Sequence, residues 1–153
     1  MKRNMLEENI MTVRQAIEIS NTGDISRVDE VISPNYFDDE SQADPFRSKL
    51  RGPEAFIETV KMLRSAFADL HYEEQEVFSA LDKVAVVTRV TGEHTGNFFV
   101  IPPSGNKIDC KAVHIFKIGD NGKIVEHKAV RDDLRLMMQI GVVGTKGLEW
   151  KGL

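Results

Sequence analysis

The sequence contains one cysteine, Cys110, and no run of about 18 apolar residues. A single cysteine excludes an internal disulfide framework and argues against a thiolate zinc site. The basic first residues are not followed by an apolar segment, so neither a secretion signal nor a membrane span is predicted. The net charge is −4 and lysines and arginines are interspersed with acids, which argues against nucleic-acid binding. These absences predict a cytoplasmic protein that binds neither nucleic acid nor membrane.

The composition is that of an ordinary globular protein, with 41% hydrophobic and 29% charged residues. Its 153 residues fit one domain, since domains commonly contain about 100–200 residues. We therefore expect one domain over residues 1–153, large enough to bury a core and to keep a cavity.

The first half of the chain has helical periodicity. Leu6, Ile10, Val13 and Ile17 recur every three or four residues, which predicts a helix over about 6–20 that ends before Gly23. Asp24 is a suitable cap for a second, short helix that ends at Ser33-Pro34-Asn35. A third helix begins at Arg51-Gly52-Pro53, and its apolar stripe consists of Phe56, Val60, Leu63 and Phe67.

Between the second and third helices, residues 36–51 are polar and acidic. This pattern predicts a long irregular loop, either a lid over a cavity or a segment without order. Asp38 follows the aromatic pair Tyr36-Phe37. A solvated loop carboxylate is slightly favoured for Asp38 over a group at the mouth of a pocket.

The second half of the chain has strand periodicity. Strands are predicted over 70–80, 83–95, 107–118 and 123–131, and Asp120-Asn121-Gly122 is a strong signal for a hairpin turn. A short helix over 132–140 follows and ends at Gly141. Helices followed by a meander of strands predict an α+β fold.

His114 is the first candidate for chemistry. Alternation places it on one strand face with Cys110, Ala112, Phe116 and Ile118. If that face lines a cavity, the imidazole is a general acid/base or a hydrogen-bond donor. On pattern alone, a buried histidine bonded to a backbone carbonyl is slightly favoured.

Asp132 and Asp133 follow the last predicted strand. One of them is expected to cap the terminal helix, and this reading is favoured about twofold over an acid/base pair with histidine. His127 lies on the return strand, near His114 if the hairpin closes as predicted. Two histidines without a third ligand at a suitable spacing give weak support for a metal, and no metal site is predicted.

Several short motifs, in order, resemble the SnoaL-like polyketide cyclases, a branch of the nuclear transport factor 2-like superfamily. They are NTGD, VDEVISPNY, RGPEAF, GEHTG, VIPPSG, AVHIFKI, DNGKIVEH and DLRLMMQIG, and the resemblance runs from about residue 13 to residue 141. The resemblance implies a cone-shaped curved sheet, antiparallel or mixed, packed with three N-terminal helices around a hydrophobic cavity. It also implies an intramolecular aldol ring closure without metal or organic cofactor, a small hydrophobic or polyketide-like ligand, and a homodimer or higher homo-oligomer.

Residue by residue, the resemblance places His114 in the pocket and Asp38 near a polar pocket position. The family's acid/base aspartate falls at Ala129, and many relatives carry a tryptophan where this chain has Lys128. Three alternatives remain open: Asp132 replaces the missing carboxylate, a histidine works without it, or the aldol chemistry is absent.

The sequence therefore favours a cofactor-independent cyclase, or a related isomerase or hydrolase. We predict His114 and Asp132 as catalytic residues and Asp38, His127 and Phe116 as substrate-binding residues. The alternatives are a non-catalytic small-molecule-binding module of the same fold and an assembly domain that dimerises through an outer sheet face containing Val113 and Ile115.

Overall fold

In the computed structural model, which describes residues 2–144, helices cover one side of a curved sheet. The helices are α1 (Lys2–Thr22), α2 (Val28–Val31), α3 (Gly52–Ala66) and α4 (Asp133–Gln139). The strands are β1 (Ile32–Asp38), β2 (Phe67–Ala80), β3 (Lys83–His94), β4 (Lys107–Ile118) and β5 (Ile124–Arg131). Residues 1 and 145–153 of the predicted domain lie outside the described residues, and its extent stays a prediction.

The five strands form one mixed sheet in the order β1-β5-β4-β3-β2. Neighbours from β2 to β5 are antiparallel, whereas β1 pairs with β5 in parallel. The β4–β5 hairpin turns where predicted, and Gly122 has the positive φ, 76°, that its turn position requires. The α+β expectation is confirmed.

The prediction of a long irregular loop over 36–51 was wrong at its beginning. Residues 32–38 form β1, and two 3-10 turns, Asp39–Ser41 and Arg47–Lys49, occupy much of the rest. Pro34 concealed the strand, because proline cannot donate to a ladder and is tolerated only where one side of the strand is unpaired. β1 is such an edge strand. Asp38 is consequently a buried strand residue, and its side chain is 1% exposed.

The third helix ends one residue earlier than its apolar stripe suggested. Phe67 begins β2 instead of ending α3, although it is buried, as expected. Gly52 starts α3 with φ of 69°, and a Cβ there would lie 2.7 Å from the Pro34 carbonyl oxygen. The close approach of α3 to β1 therefore depends on glycine.

Strand alternation gives the sheet two different faces. On β3, Val84, Val86 and Thr88 are fully buried, whereas Arg89 is exposed. On β4, the four residues predicted to share a face with His114 do so, and the opposite face exposes Val113 and Ile115, each 38% accessible. The inner face meets the helices.

The buried core consists of two apolar clusters. One joins α1, α2 and α3 to the β1 side of the sheet, and the other joins the end of α3 to β2, the start of β4 and α4. Residues from both clusters line one cavity, so the cavity lies where the clusters meet. No helix among the described residues is long and apolar enough to cross a membrane.

Candidate active site

The cavity between the helices and the inner sheet face has a volume of about 150 Å³. A water molecule needs roughly 10–15 Å³ on this measure, so the space accommodates an organic molecule. Most of the lining is aliphatic or aromatic. Its ionisable side chains are Asp38, Glu40, Arg47, Tyr36, Tyr72, Cys110, His114, His127 and Arg131. A mainly apolar cavity with a few convergent polar groups is the usual form of a small-molecule site.

Three of the residues predicted for the site are joined by hydrogen bonds. His127 Nδ1 lies 3.1 Å from Asp38 Oδ1, and His127 Nε2 lies 2.9 Å from His114 Nδ1. The sheet register explains this chain, because Asp38 pairs with His127 across β1 and β5 and His127 pairs with Phe116 across β5 and β4. His114 is the diagonal neighbour of His127, since its direct partner is Ala129.

Aromatic packing fixes the two imidazole rings. Their centroids are 5.2 Å apart, and Phe116 packs against both, with its centroid 4.9 Å from that of His127. Phe116 lines the cavity, in agreement with its predicted position, and its contact with substrate stays a prediction. The rings of Tyr72 and His114 meet edge to face, at a centroid distance of 5.7 Å.

Asp38 is held as a buried carboxylate. Burial acts to raise its pKa, but hydrogen bonds from His127, the Glu40 N–H and the Thr59 hydroxyl, with the attraction of His127, outweigh this effect and lower the pKa overall. The Thr59 hydroxyl lies 3.2 Å from Asp38 Oδ2 and accepts a hydrogen bond from Arg47. Asp38 is therefore ionised at neutral pH and accepts hydrogen bonds only.

This carboxylate determines where the protons lie when both histidines are neutral. Because Asp38 only accepts, His127 carries its proton on Nδ1 and leaves Nε2 as an acceptor. His114 must then donate from Nδ1 to that nitrogen. The Nε2 of His114 consequently has a free lone pair, and this buried atom has no hydrogen-bond partner among the described residues.

The imidazole of His114 is neutral over most of the pH range. Burial, the positive charge that His127 can carry and Arg131 lower its pKa to about 3, against a weaker opposing effect of Asp38. At neutral pH the histidine that lines this mainly apolar cavity is thus uncharged.

Arg131 and Glu40 form a second polar group of the lining. Arg131 Nη1 lies 2.8 Å from Glu40 Oε2, and Arg131 Nε lies 3.1 Å from Asp133 Oδ1. The other oxygen of Glu40 accepts the Ala129 N–H at 3.2 Å. Since β1 ends at Asp38, this side chain replaces the strand partner that the Ala129 N–H would otherwise have.

Asp132 does not lie in the cavity lining, which corrects its prediction as the carboxylate partner of His114. It is exposed and caps α4, accepting the Arg135 N–H at 3.1 Å. Asp132 follows β5 and immediately precedes α4, where the helix N-terminus needs a hydrogen-bond acceptor, so its side chain caps the helix and does not reach His114. The carboxylate that is hydrogen-bonded to the histidine pair is that of Asp38, on β1.

Ala129 lines the cavity directly opposite His114. A side chain at this position faces the space between His127 and Arg131, because residues two apart on β5 share a face. The Ala129 methyl group leaves that space open. Lys128 is exposed on the opposite face.

Sequence reasoning missed Thr59, Arg47, Glu40, Tyr72 and Arg131 as lining residues. Thr59 has a detectable signal, since it lies on α3 about one turn from both Phe56 and Leu63 of the predicted apolar stripe. Glu40, Arg47 and Arg131 depend on the course of β1 and of the turns that follow it, which no local pattern specifies. Tyr72 lies on β2, which was predicted as a strand without an assignment of its inward face. Among residues 2–144, no three His, Cys, Asp or Glu side chains are placed to hold a metal ion.

The geometry defines a class of protein: an α+β cone with a helix-covered cavity and a pair of hydrogen-bonded histidines connected to a buried carboxylate. The comparisons agree with this class. The family model described as SnoaL-like polyketide cyclase matches residues 10–140. The chain belongs to the SnoaL-like polyketide cyclase family.

Two curated relatives carry the name aklanonic acid methyl ester cyclase. The protein DnrD of Streptomyces peucetius is 33% identical over 137 residues, which cover 89% of this chain and 92% of the relative. The protein DauD of Streptomyces sp. (strain C5) is 32% identical over 137 residues, with 89% and 83% covered. These relatives favour the cyclase interpretation over a non-catalytic binding module.

Solved structures show the same fold. TsrD from Streptomyces laurentii superposes with a TM-score of 0.74 at 26% identity, covering 87% of this chain and 97% of that one. A SnoaL-like protein from Jannaschia sp. CCS1 gives a TM-score of 0.76 at 26% identity, with 92% and 96% covered. The expected cone-type fold is confirmed.

Proposed function

We propose that this protein closes a carbocyclic ring in a polyketide-like ester by an intramolecular aldol reaction, with His114 Nε2 as the base. The observation that carries the proposal is the chain from Asp38 through His127 to His114, a cavity-lining residue whose buried Nε2 has no hydrogen-bond partner among the described residues. The family and the names of the two curated relatives supply the reaction class and the substrate class.

The proposed reaction begins with proton transfer from a carbon between two carbonyl groups to His114 Nε2. The C–H electron pair becomes the enolate, and the enolate carbon bonds to a second carbonyl carbon of the same molecule. The π electrons of that carbonyl become an alkoxide, which takes the proton back from His114 Nε2. Atoms and charge balance without a metal, an oxidant or a reductant.

His127 and Asp38 act in this proposal as positioning residues that also accommodate charge. The low pKa of His114 makes a cation on its ring costly. A shift of the Nδ1 proton across the 2.9 Å hydrogen bond moves that positive charge to His127, next to the Asp38 carboxylate. The charge then lies in an ion pair while His114 stays neutral and carries its proton on Nε2, ready for return.

The test is ring closure of aklanonic acid methyl ester, followed by chromatography and mass spectrometry. We expect turnover by the wild-type chain and a loss of roughly 10²–10⁴-fold in His114→Ala, the range typical of general acid/base groups. His71→Ala is the matched control, because His71 is exposed on β2 and its loss should leave turnover unchanged. Full activity of His114→Ala would remove this residue from the mechanism.

We also propose a homodimer in which two copies meet through the outer sheet face. Val113 and Ile115 are both 38% exposed there, and Val130 on the neighbouring strand is 76% exposed. Light scattering should give the dimer mass for the wild type and the monomer mass for Val113→Glu/Ile115→Glu. A monomeric wild-type protein would contradict this proposal. The cytoplasmic location stays a prediction.

A further inference from the structure

Most polar side chains of the cavity are already hydrogen-bonded within the protein. Arg131 is paired with Glu40 and Asp133. Arg47 is paired with Asp44 and Thr59. Two phenol hydroxyls of the lining, those of Tyr36 and Tyr72, have no hydrogen-bond partner within residues 2–144. They are the strong neutral donors that remain available to a bound molecule.

Tyr72 is the phenol in contact with the proposed base. Its ring meets that of His114 edge-on, at 74° and 5.7 Å between centroids. The Tyr36 ring instead packs against Phe56, at 6.1 Å. A substrate carbon that reaches His114 therefore lies in the part of the cavity that Tyr72 also lines.

Tyr72 lies on an edge strand, but both of its backbone polar groups are hydrogen-bonded to a side chain of α1. The Asn21 side chain, at the end of α1, accepts the Tyr72 N–H at 2.7 Å and donates to the Tyr72 carbonyl at 3.1 Å. Because β2 is an edge strand, both groups would otherwise face solvent. Helix α1 thus holds the backbone that carries the Tyr72 ring before substrate arrives, and a preorganised donor is most effective at a developing charge.

We propose that the Tyr72 hydroxyl donates a hydrogen bond to the carbonyl oxygen next to the carbon that His114 deprotonates. This assignment rests on the proposed ring closure. When the C–H electron pair is delocalised onto that oxygen, the oxygen gains the negative charge of the enolate. The Tyr72 hydroxyl keeps its proton and stabilises this charge through the hydrogen bond. The proton itself resides on His114.

The ionisation of Tyr72 is compatible with this role. Burial raises the pKa of its phenol to about 12, with Arg131 acting in the opposite direction. The hydroxyl is consequently protonated throughout the neutral range and acts as a donor, not as a base.

The test compares Tyr72→Phe with the wild type in two assays. For ring closure of aklanonic acid methyl ester we expect kcat to fall by roughly 10²-fold with little change in KM, as for the loss of one oxyanion donor. For 4-nitrophenolate, an oxyanion probe that requires no turnover, we expect about tenfold weaker binding, the cost typical of one hydrogen bond to a charge. The melting temperature should not change, since the hydroxyl has no partner in the protein.

The control is Glu73→Gln, which alters the adjacent exposed residue of β2 and should match the wild type in both assays. Wild-type binding of 4-nitrophenolate by Tyr72→Phe, or no binding by the wild type itself, would overturn the donor role. A larger loss in Tyr36→Phe than in Tyr72→Phe would overturn the choice of residue. If no chain turns over the ester, the proposed ring closure fails, while the 4-nitrophenolate comparison still decides whether Tyr72 binds an oxyanion.

Discussion

Two histidines among the described residues, His94 and His114, have a buried Nε2 atom without a hydrogen-bond partner. His94 lies at the end of β3, is 0% exposed and is absent from the cavity lining. Its Nδ1 accepts the Ser104 N–H at 3.2 Å and lies 3.0 Å from the Ser104 hydroxyl. Its ring packs on Phe67 at 5.3 Å, so its surroundings are those of a core residue.

The two rings therefore hold opposite tautomers. His94 accepts a backbone N–H at Nδ1, which places the proton of the neutral ring on Nε2. His114 donates at Nδ1 toward His127 and leaves Nε2 bare. Burial and an unpartnered nitrogen are common to both, and neither is sufficient for a site. The difference lies in the connection to a carboxylate and in access to the cavity.

The largest expected effect comes from replacing Asp38, the carboxylate connected to His114 through His127. Asp38→Asn should lower kcat by about 10²–10⁴-fold, because an amide that donates to His127 Nδ1 reverses both tautomers and leaves a proton on His114 Nε2. His94→Phe should leave kcat unchanged, since that ring does not line the cavity. Steady-state kinetics on both variants measures the contrast, and equal losses would show that the two histidines do not differ in function.

The next largest expected effect is on the stability of the protein in acid, to which His114 should contribute. Folded His114 binds its proton near pH 3, whereas an unperturbed histidine binds it at 6.5. Between these values the unfolded chain holds the extra proton, so the free energy of unfolding falls as pH falls, by up to about 1.4 kcal/mol per pH unit. Above pH 6.5 this contribution is constant.

Urea unfolding at a series of pH values tests this linkage. His114→Phe should flatten the decline between pH 6.5 and pH 3, whereas the exposed-site variant His71→Phe should retain it. An unchanged slope in His114→Phe would show that other groups account for the acid sensitivity.

The smallest effect concerns Asp132. Asp132→Ala should cost about 1 kcal/mol of stability through the lost helix cap and leave kcat unchanged. Asp132→Asn retains a capping oxygen and should restore most of that stability. A fall in kcat in Asp132→Asn would contradict the assignment of this residue to capping alone.

The strands β2 to β5 could be predicted from the sequence because alternation and the Asn121-Gly122 turn are local signals. β1 could not, since its proline and its polar residues resemble a loop, and its place is set by parallel pairing with β5. Because β1 was not predicted, the candidate site could not be assembled from the sequence either. His114 follows from strand parity, but Asp38 reaches His127 only through that non-local pairing, and Asp132 lies nearby in sequence without facing the cavity.

The most direct test of the account is the tautomeric state of His114 and His94 at neutral pH, read from long-range proton–nitrogen NMR correlations of the ring nitrogens. The account predicts that His114 is protonated on Nδ1 with a bare Nε2, and that His94 is protonated on Nε2 with a bare Nδ1. A proton on Nε2 of His114 in the free protein would contradict its role as the base.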